Sequence, residues 1–179
     1  MKKIGFLINP VAGLGGQAGM KGSDGERSRE QALSLGYQKT ALRRASAAIG
    51  QIRGGADHRA DTIAYARAMG AKGVELLVFC GGDGTARDIY EAVGSQFPVL
   101  GIPAGVKMYS ACYAVNPWQA RELLRDFIWG RKLSFVPREV MDMDEAYLSE
   151  AEVSPALYGF LTVPGDGVRL QRAMDGDGP

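Results

Sequence analysis

The sequence predicts an α/β domain in which helices cover both faces of a parallel sheet, giving three layers. Short apolar runs alternate along the chain with segments of helical length, which is the pattern of parallel strands joined by crossover helices. Three of the runs, ending at Ile8, Cys80 and Ile102, pass directly into glycine-bearing loops. Because ligands of such sheets bind at the carboxyl ends of the strands, we expect the three loops to line one site.

The composition favours a soluble globular protein with an ordinary surface. A chain of 179 residues with 46% hydrophobic residues can form one compact domain, or one domain and part of a second. A net charge of +1 does not suggest nucleic acid as a partner. No run approaches the roughly 20 apolar residues of a membrane span, and the apolar run at the start is too short for a signal peptide. We therefore expect a cytoplasmic protein with no membrane partner.

The first part of the chain begins with a strand and continues with helices. The run Lys3–Ile8 is short and apolar and is bounded by Asn9 and Pro10, so it reads as a buried strand. Residues 10–25 are rich in glycine and predict a loop. Three helices then follow, and Gly70 is the predicted stop of the third: Glu26 to Leu35, Thr40 to Ile49, and Asp57 to Met69.

The second part repeats the alternation and then changes character. Strands, each followed by a helix, are predicted in this order: strand Val74–Cys80, helix Thr85–Val93, strand Pro98–Ile102, short helix Val106–Ala114, and a helix from Asn116-Pro117 to about Trp129. After Arg131 two strands follow without helices, at Leu133–Met143 and Leu157–Val163. We expect an α/β domain over 1–131, the start of a C-terminal β-rich region over 132–164, and a flexible, truncated tail over 165–179.

The first glycine loop, NPVAGLGGQAG, has the backbone freedom that anion contact requires. Gly13, Gly15 and Gly16 let amide groups approach a phosphate closely. No Gly-Lys-Ser/Thr follows, which excludes a Walker A loop, and Ala18 breaks the dinucleotide-binding fingerprint. The loop is either a phosphate contact or a plain tight turn.

The second loop places one carboxylate among glycines. Gly81 and Gly82 carry the chain off a buried strand, and Gly84 and Thr85 lead into a helix whose amino end attracts anions. Asp83 is therefore positioned to hold Mg²⁺, to accept a proton from an attacking hydroxyl, or merely to cap the helix.

GGDGT after a strand resembles the superfamily shared by NAD kinases and diacylglycerol or sphingosine kinases. Three longer strings resemble the branch of ATP-NAD kinase-like proteins, which includes an accessory protein of acetoin catabolism: NPVAGLGGQAGMKGSDG, GGDGTARDIYEAV and PVLGIPAGVKMYSA. The resemblance covers most of Lys3 to Pro164. It implies the nucleotide-binding fold of NAD kinases.

The resemblance also implies a reaction, its ligands and its residues. The γ-phosphate of ATP passes to a hydroxyl, which in NAD kinases is the 2′-hydroxyl of NAD, so ATP, NAD and Mg²⁺ are the expected ligands. No dedicated protein cage for the metal is predicted, and homo-oligomerisation is left open. Asp83 corresponds to the proposed base or metal-positioning group. The expected cofactor-binding residues are Asn9, Gly13, Gly15, Gly16, Gly81, Gly82, Gly84, Thr85, Arg87, Gly105 and Lys107.

The chain departs from the family in two places, and these departures leave alternatives open. Ala45 to Asp57 is too short for the strand–helix unit that relatives carry there, and the C-terminal β domain that completes the NAD site is only begun. The alternatives are a kinase acting on another hydroxyl, on a lipid or small metabolite, and a nucleotide-binding accessory protein without catalysis. The sequence does not separate ATP from polyphosphate as donor.

Overall fold

The computed structural model describes residues 2–9, 12, 34, 40–49, 59–105, 108–143, 155–165 and 168–171. Within these residues, each of the first three strands is followed by one or two helices, and two further strands come last. The elements are β1 (Ile4–Ile8), α1 (Thr40–Ile49), α2 (Arg59–Ala71), β2 (Leu76–Gly81), α3 (Asp83–Val93), β3 (Val99–Pro103), α4 (Pro117–Ile128), β4 (Phe135–Met143) and β5 (Pro155–Pro164).

The core of the fold is a three-stranded parallel sheet in the order β1-β2-β3. Ile4 lies opposite Leu76, and Leu77 lies opposite Val99, so all three strands end at the same edge. The central strand β2 is buried along its whole length. Burying each of its large apolar side chains contributes about 1.5–3 kcal/mol, which explains why the sequence of this strand is apolar without alternation. The predicted parallel arrangement of the three strands is confirmed.

The helices cover the sheet in two pairs, α1 with α4 and α2 with α3. This arrangement confirms the mixed α/β class. None of the described helices is long and apolar enough to cross a membrane. The predicted helix over 26–35 lies outside the described residues except for Ser34.

The helix ends follow the sequence signals in most places. Asn116 caps α4 by accepting a hydrogen bond from the Gln119 N–H at 2.9 Å, and Gly130 follows the helix with a φ of +68°. The prediction that Gly70 ends α2 is wrong. The helix continues to Ala71, and the chain turns at Gly73, where φ is +68°. A glycine within the last helical turn therefore did not stop the helix, because the left-handed turn lies three residues later.

The predicted short helix at Val106–Ala114 is wrong for the described residues 108–114, which are not helical; residues 112–114 pair with β3 instead. The Gly101 N–H donates to the Cys112 carbonyl at 3.1 Å, and the Ala114 N–H donates to the Gly101 carbonyl at 2.9 Å. The backbone groups that a helix would use internally are thus committed to a neighbouring strand. Residues 106 and 107 lie outside the described residues.

The two predicted C-terminal strands are present as β4 and β5, and they form an antiparallel pair with an irregularity between Val140 and Met141. At this irregularity the Ser110 hydroxyl bonds both backbone groups of Met141. It donates to the Met141 carbonyl at 3.0 Å and accepts from the Met141 N–H at 2.9 Å. The pair is therefore attached to the segment that follows β3.

Residues 168–171, in the stretch that the sequence predicts to be a flexible tail, bond to the residues just before α4. The Val115 N–H donates to the Arg169 carbonyl at 3.0 Å, and the Gln171 N–H donates to the Tyr113 carbonyl at 2.8 Å. Leu170 is buried in the core. The division of the chain at residues 131 and 164 stays a prediction.

Candidate functional site

Backbone and side-chain hydrogen bonds join the three strand ends into one site. The Asn9 N–H donates to the Cys80 carbonyl at 2.9 Å, and the Ala104 N–H donates to the Gly81 carbonyl at 3.0 Å. The Asn9 side-chain amide donates to the Thr85 hydroxyl at 3.2 Å. The structure thus brings together Asn9, Gly81 and Thr85 from the predicted site. Gly13, Gly15, Gly16 and Lys107 lie outside the described residues and stay predictions.

The two glycines before Asp83 serve different purposes. A Cβ on Gly81 would lie 2.4 Å from the Thr85 side chain, so only glycine fits beneath this buried threonine. Gly82 has a φ of −106° and a ψ of −174°, which any residue adopts, and a Cβ there would meet no atom of the described residues within 4 Å. Among the described residues, neither packing nor backbone geometry requires a glycine at position 82. Its lack of a side chain leaves space beside the start of α3 in this part of the chain.

Helix α3 begins at this open space, with Gly82 as its N-cap residue. The first hydrogen bond of the helix runs from the Ala86 N–H to the Gly82 carbonyl at 3.1 Å. The amides of Asp83, Gly84 and Thr85 precede that bond and form the amino end of the helix. Such amides, together with the helix dipole, favour the binding of an anion.

The Asp83 carboxylate spans two of the loops. Its Oδ2 accepts from the Tyr109 N–H at 3.0 Å, and its Oδ1 accepts from the Ser110 N–H at 2.9 Å. Both bonds lead out of α3 to the segment after β3. Asp83 therefore anchors that segment, a role that sequence reasoning did not include, and its assignment as a base or metal-positioning group stays a prediction.

Arg87 and Gly105 are also placed at this edge. The Arg87 Nε lies 3.6 Å from the Asp88 carboxylate, which is buried. The Gly105 carbonyl accepts from the Arg44 guanidinium at 3.1 Å, and so does the Pro103 carbonyl, also at 3.1 Å. Contact of Arg87 or Gly105 with a ligand stays a prediction.

Arg44 and Tyr113 belong to the site but were missed in the sequence. For Arg44 a signal existed, because Ala41, Ala45 and Ala48 mark the buried face of α1 and Arg44 flanks it. For Tyr113 no periodic signal existed. Its hydroxyl donates to the Gly82 carbonyl at 2.6 Å, a contact that depends on the pairing of residues 112–114 with Gly101.

Cys80 and Cys112 are both buried free thiols. The Cys80 thiol donates to the Ala41 carbonyl at 3.3 Å, and burial raises its pKa to about 12. Burial also raises the pKa of Cys112 well above its usual range, and the nearby negative charge of Asp83 adds to the effect. Both thiols are therefore protonated and unreactive at neutral pH.

The described residues hold no group of three or more potential metal ligands. Asp83 is the carboxylate at the start of α3. A magnesium ion in a nucleotide site uses one or two carboxylates together with substrate phosphates. A single carboxylate at this position fits a metal ion that arrives with a nucleotide.

Comparisons with known proteins give one family match and a set of distant structural neighbours. A family model described as the ATP-NAD kinase N-terminal domain matches residues 19–132, which is more than half of the chain. A comparison with curated proteins finds no match. Two crystal structures from Bacillus anthracis strain Sterne, both under the name diacylglycerol kinase, share 18% identity with the chain at TM-scores of 0.46 and 0.45. Each comparison covers 80% of this chain and 46% of the other, so the chain spans about half of their length.

Proposed function

The chain belongs to the ATP-NAD kinase family, and on that premise we propose that it transfers the γ-phosphate of ATP to the 2′-hydroxyl of NAD, giving NADP. The observation that carries the proposal is the junction of Asn9 with Thr85 beside the open space at Gly82. This junction places the amino end of α3 at the edge where all three parallel strands end. The edge is where ligands of such sheets bind.

The binding part of the proposal rests on backbone amides. The N–H groups of Asp83, Gly84 and Thr85 hold the ATP phosphates, and the Asn9 side chain fixes the first loop against them. Gly13, Gly15 and Gly16 extend this cradle from the first loop, and Lys107 adds a positive charge from the third. The Arg44 guanidinium holds the third loop through the carbonyls of Pro103 and Gly105.

The catalytic part of the proposal rests on Asp83. The oxygen of the acceptor hydroxyl attacks the γ-phosphorus, the bond from that phosphorus to the bridging oxygen breaks, and ADP leaves. Asp83 orients the hydroxyl and accepts its proton while the Tyr109 and Ser110 amides hold the carboxylate in place. Mg²⁺, when bound with the nucleotide, neutralises charge on the phosphates.

One observation favours a second candidate, a nucleotide-binding accessory protein without catalysis. Both carboxylate oxygens of Asp83 accept backbone hydrogen bonds, which is the arrangement expected of a structural anchor. In this candidate the open space at Gly82 binds a nucleotide, and Asp83 only connects the loops. A kinase acting on a lipid or small-metabolite hydroxyl would use the same phosphate site.

The test is to incubate the purified protein with Mg²⁺, a donor and a panel of hydroxyl acceptors that includes NAD. ATP and polyphosphate are compared as donors, products are identified by mass spectrometry, and ATP binding is measured by calorimetry. Formation of NADP supports the proposal. If only another acceptor is phosphorylated, that acceptor takes the place of NAD as the proposed substrate. ATP binding without turnover of any acceptor supports the accessory protein. The absence of ATP binding rejects the site itself.

A further inference from the structure

Tyr113 occupies one fixed position beneath the start of α3. The side chain is fully buried, and its hydroxyl donates to the Gly82 carbonyl at 2.6 Å. Its ring meets the Phe79 ring edge-on, with 5.4 Å between centroids and 63° between the ring planes. Apolar packing thus holds the ring while its polar atom reaches the loop.

Gly101 in β3 makes room for this ring. A Cβ on Gly101 would lie 2.5 Å from Cδ1 of Tyr113 and 2.9 Å from the Cys112 carbonyl oxygen. The hydrogen bonds of Gly101 with Cys112 and Ala114 fix the backbone on either side of Tyr113. The backbone around Tyr113 is therefore fixed by hydrogen bonds. The space for its ring exists only because residue 101 has no side chain.

The hydroxyl of Tyr113 controls the direction of one peptide group. Among the described residues every peptide bond is trans, so the carbonyl of Gly82 and the N–H of Asp83 point in opposite directions. Tyr113 and the Ala86 N–H both hold the carbonyl on the inner side. The Asp83 N–H therefore points away from the body of α3, outward from its amino end.

We infer that Tyr113 is a positioning residue of the phosphate site, because its hydroxyl keeps the Gly82–Asp83 peptide oriented with the N–H toward the bound phosphate. The inference rests on the proposed function, and it assigns to that site a residue that does not touch the ligand. Because the peptide group is already oriented, phosphate binding does not include the free-energy cost of turning it. Tyr113 acts on nucleotide affinity and not on the proton transfer.

The test is the variant Tyr113→Phe, which removes one oxygen atom and keeps the ring. The Gly82 carbonyl retains its bond from the Ala86 N–H, so no buried acceptor loses its only partner and the melting temperature should change little. The control is Tyr90→Phe in α3, where the tyrosine ring packs against Tyr158 and Gly159. Gly101→Ala is a second variant, which displaces the Tyr113 ring and should give the same binding defect together with a loss of stability.

Two measurements decide the inference. In the ligand-free protein, the NMR signals of the Asp83 and Gly84 amides should shift in Tyr113→Phe and stay unchanged in Tyr90→Phe. ATP affinity measured by calorimetry should fall about 3- to 10-fold in Tyr113→Phe, the change that the loss of one hydrogen bond corresponds to. For the kinase reaction, the KM for ATP should rise by a similar factor while kcat is retained.

Unchanged amide signals overturn the inference, and so does unchanged ATP affinity in a wild-type protein that binds ATP. A wild-type protein that does not bind ATP rejects the proposed function itself, and the inference with it. The two failures are therefore separated by the wild-type titration.

Discussion

Asn9 donates a hydrogen bond from its side-chain amide to the Thr85 hydroxyl, 3.2 Å away, across 76 positions of sequence. The bond joins the loop after β1 to the turn after β2. Thr85 is in turn packed so closely over Gly81 that no side chain fits between them. The Asn9–Thr85 hydrogen bond and the packing of Thr85 on Gly81 therefore hold the two loops together. Both contacts lie at the edge where we propose that ATP binds.

The first prediction concerns this bond. Asn9→Ala removes the donor, so the first loop loses its side-chain contact with α3, and ATP affinity should fall about 3- to 10-fold. The control is Asn116→Ala, which removes the asparagine that caps α4. That variant should lose about 1 kcal/mol of stability with ATP affinity unchanged. Equal ATP affinities in wild type and Asn9→Ala, measured by calorimetry, would contradict the role of Asn9.

The second prediction is a steric series at Gly82. Its extended backbone and open surroundings accommodate a side chain, so Gly82→Ala and Gly82→Val should fold with melting temperatures near that of the wild type. If phosphate occupies that space, alanine should weaken ATP binding and valine should abolish it. Thermal unfolding and calorimetry on the same samples provide both measurements.

The control for that series is Gly70→Ala, in the last turn of α2. A Cβ there makes an ordinary contact with the Phe97 ring at 3.6 Å. Because alanine is about 1 kcal/mol better than glycine within a helix, this variant should be as stable as the wild type or more so, and should bind ATP normally. A Gly82→Val protein that folds and binds ATP with wild-type affinity would show that the space at Gly82 is not the phosphate site.

The third prediction concerns the thiols and pH. Because the pKa of Cys80 is about 12 and that of Cys112 is also raised, neither thiol should react with iodoacetamide at pH 8 in the folded protein. Both should react once the protein is unfolded in guanidinium chloride. Since the unfolded thiols lose their protons near their ordinary pKa while the folded thiols keep them, stability should fall as the pH rises from about 9 toward 12. Rapid labelling of the native protein at pH 8 would refute the burial of these side chains.

The parallel sheet and its loop edge could be predicted because the signals were local. Strand β2 is apolar at every position, and a strand buried on both faces requires that pattern. The cap at Asn116 and the glycine at 130 likewise act within a few residues of the helix ends. These elements needed no knowledge of distant contacts.

The segment 108–114 could not be predicted because its structure depends on residues far away in sequence. Its local composition allows a helix, but its amides pair with Gly101 and Asp83, and its Ser110 hydroxyl bonds to Met141. Tyr113 was missed for the same reason. The position of its hydroxyl follows from the absence of a side chain at Gly101, a relationship that no window of neighbouring residues contains.

The last prediction concerns Asp83→Asn, a change that keeps the size of the side chain and removes its charge. Asn has one carbonyl oxygen and one NH₂ group, so it can accept from only one of the two amides while its NH₂ faces the other. The mismatch should cost about 1–3 kcal/mol of stability. If Asp83 is the base, turnover should fall in addition by about 10²–10⁴-fold while ATP affinity changes little.

The matched control is Ser110→Ala, because it disturbs the same segment without altering charge. It removes the hydroxyl that bonds both backbone groups of Met141, so a stability loss comparable to that of Asp83→Asn is expected. Turnover, ATP affinity, apparent Mg²⁺ affinity and chemical denaturation are measured for both variants. If Asp83 positions the metal, its variant alone should require more Mg²⁺. If both variants lose stability and turnover to the same extent, Asp83 is a structural anchor and not the catalytic base.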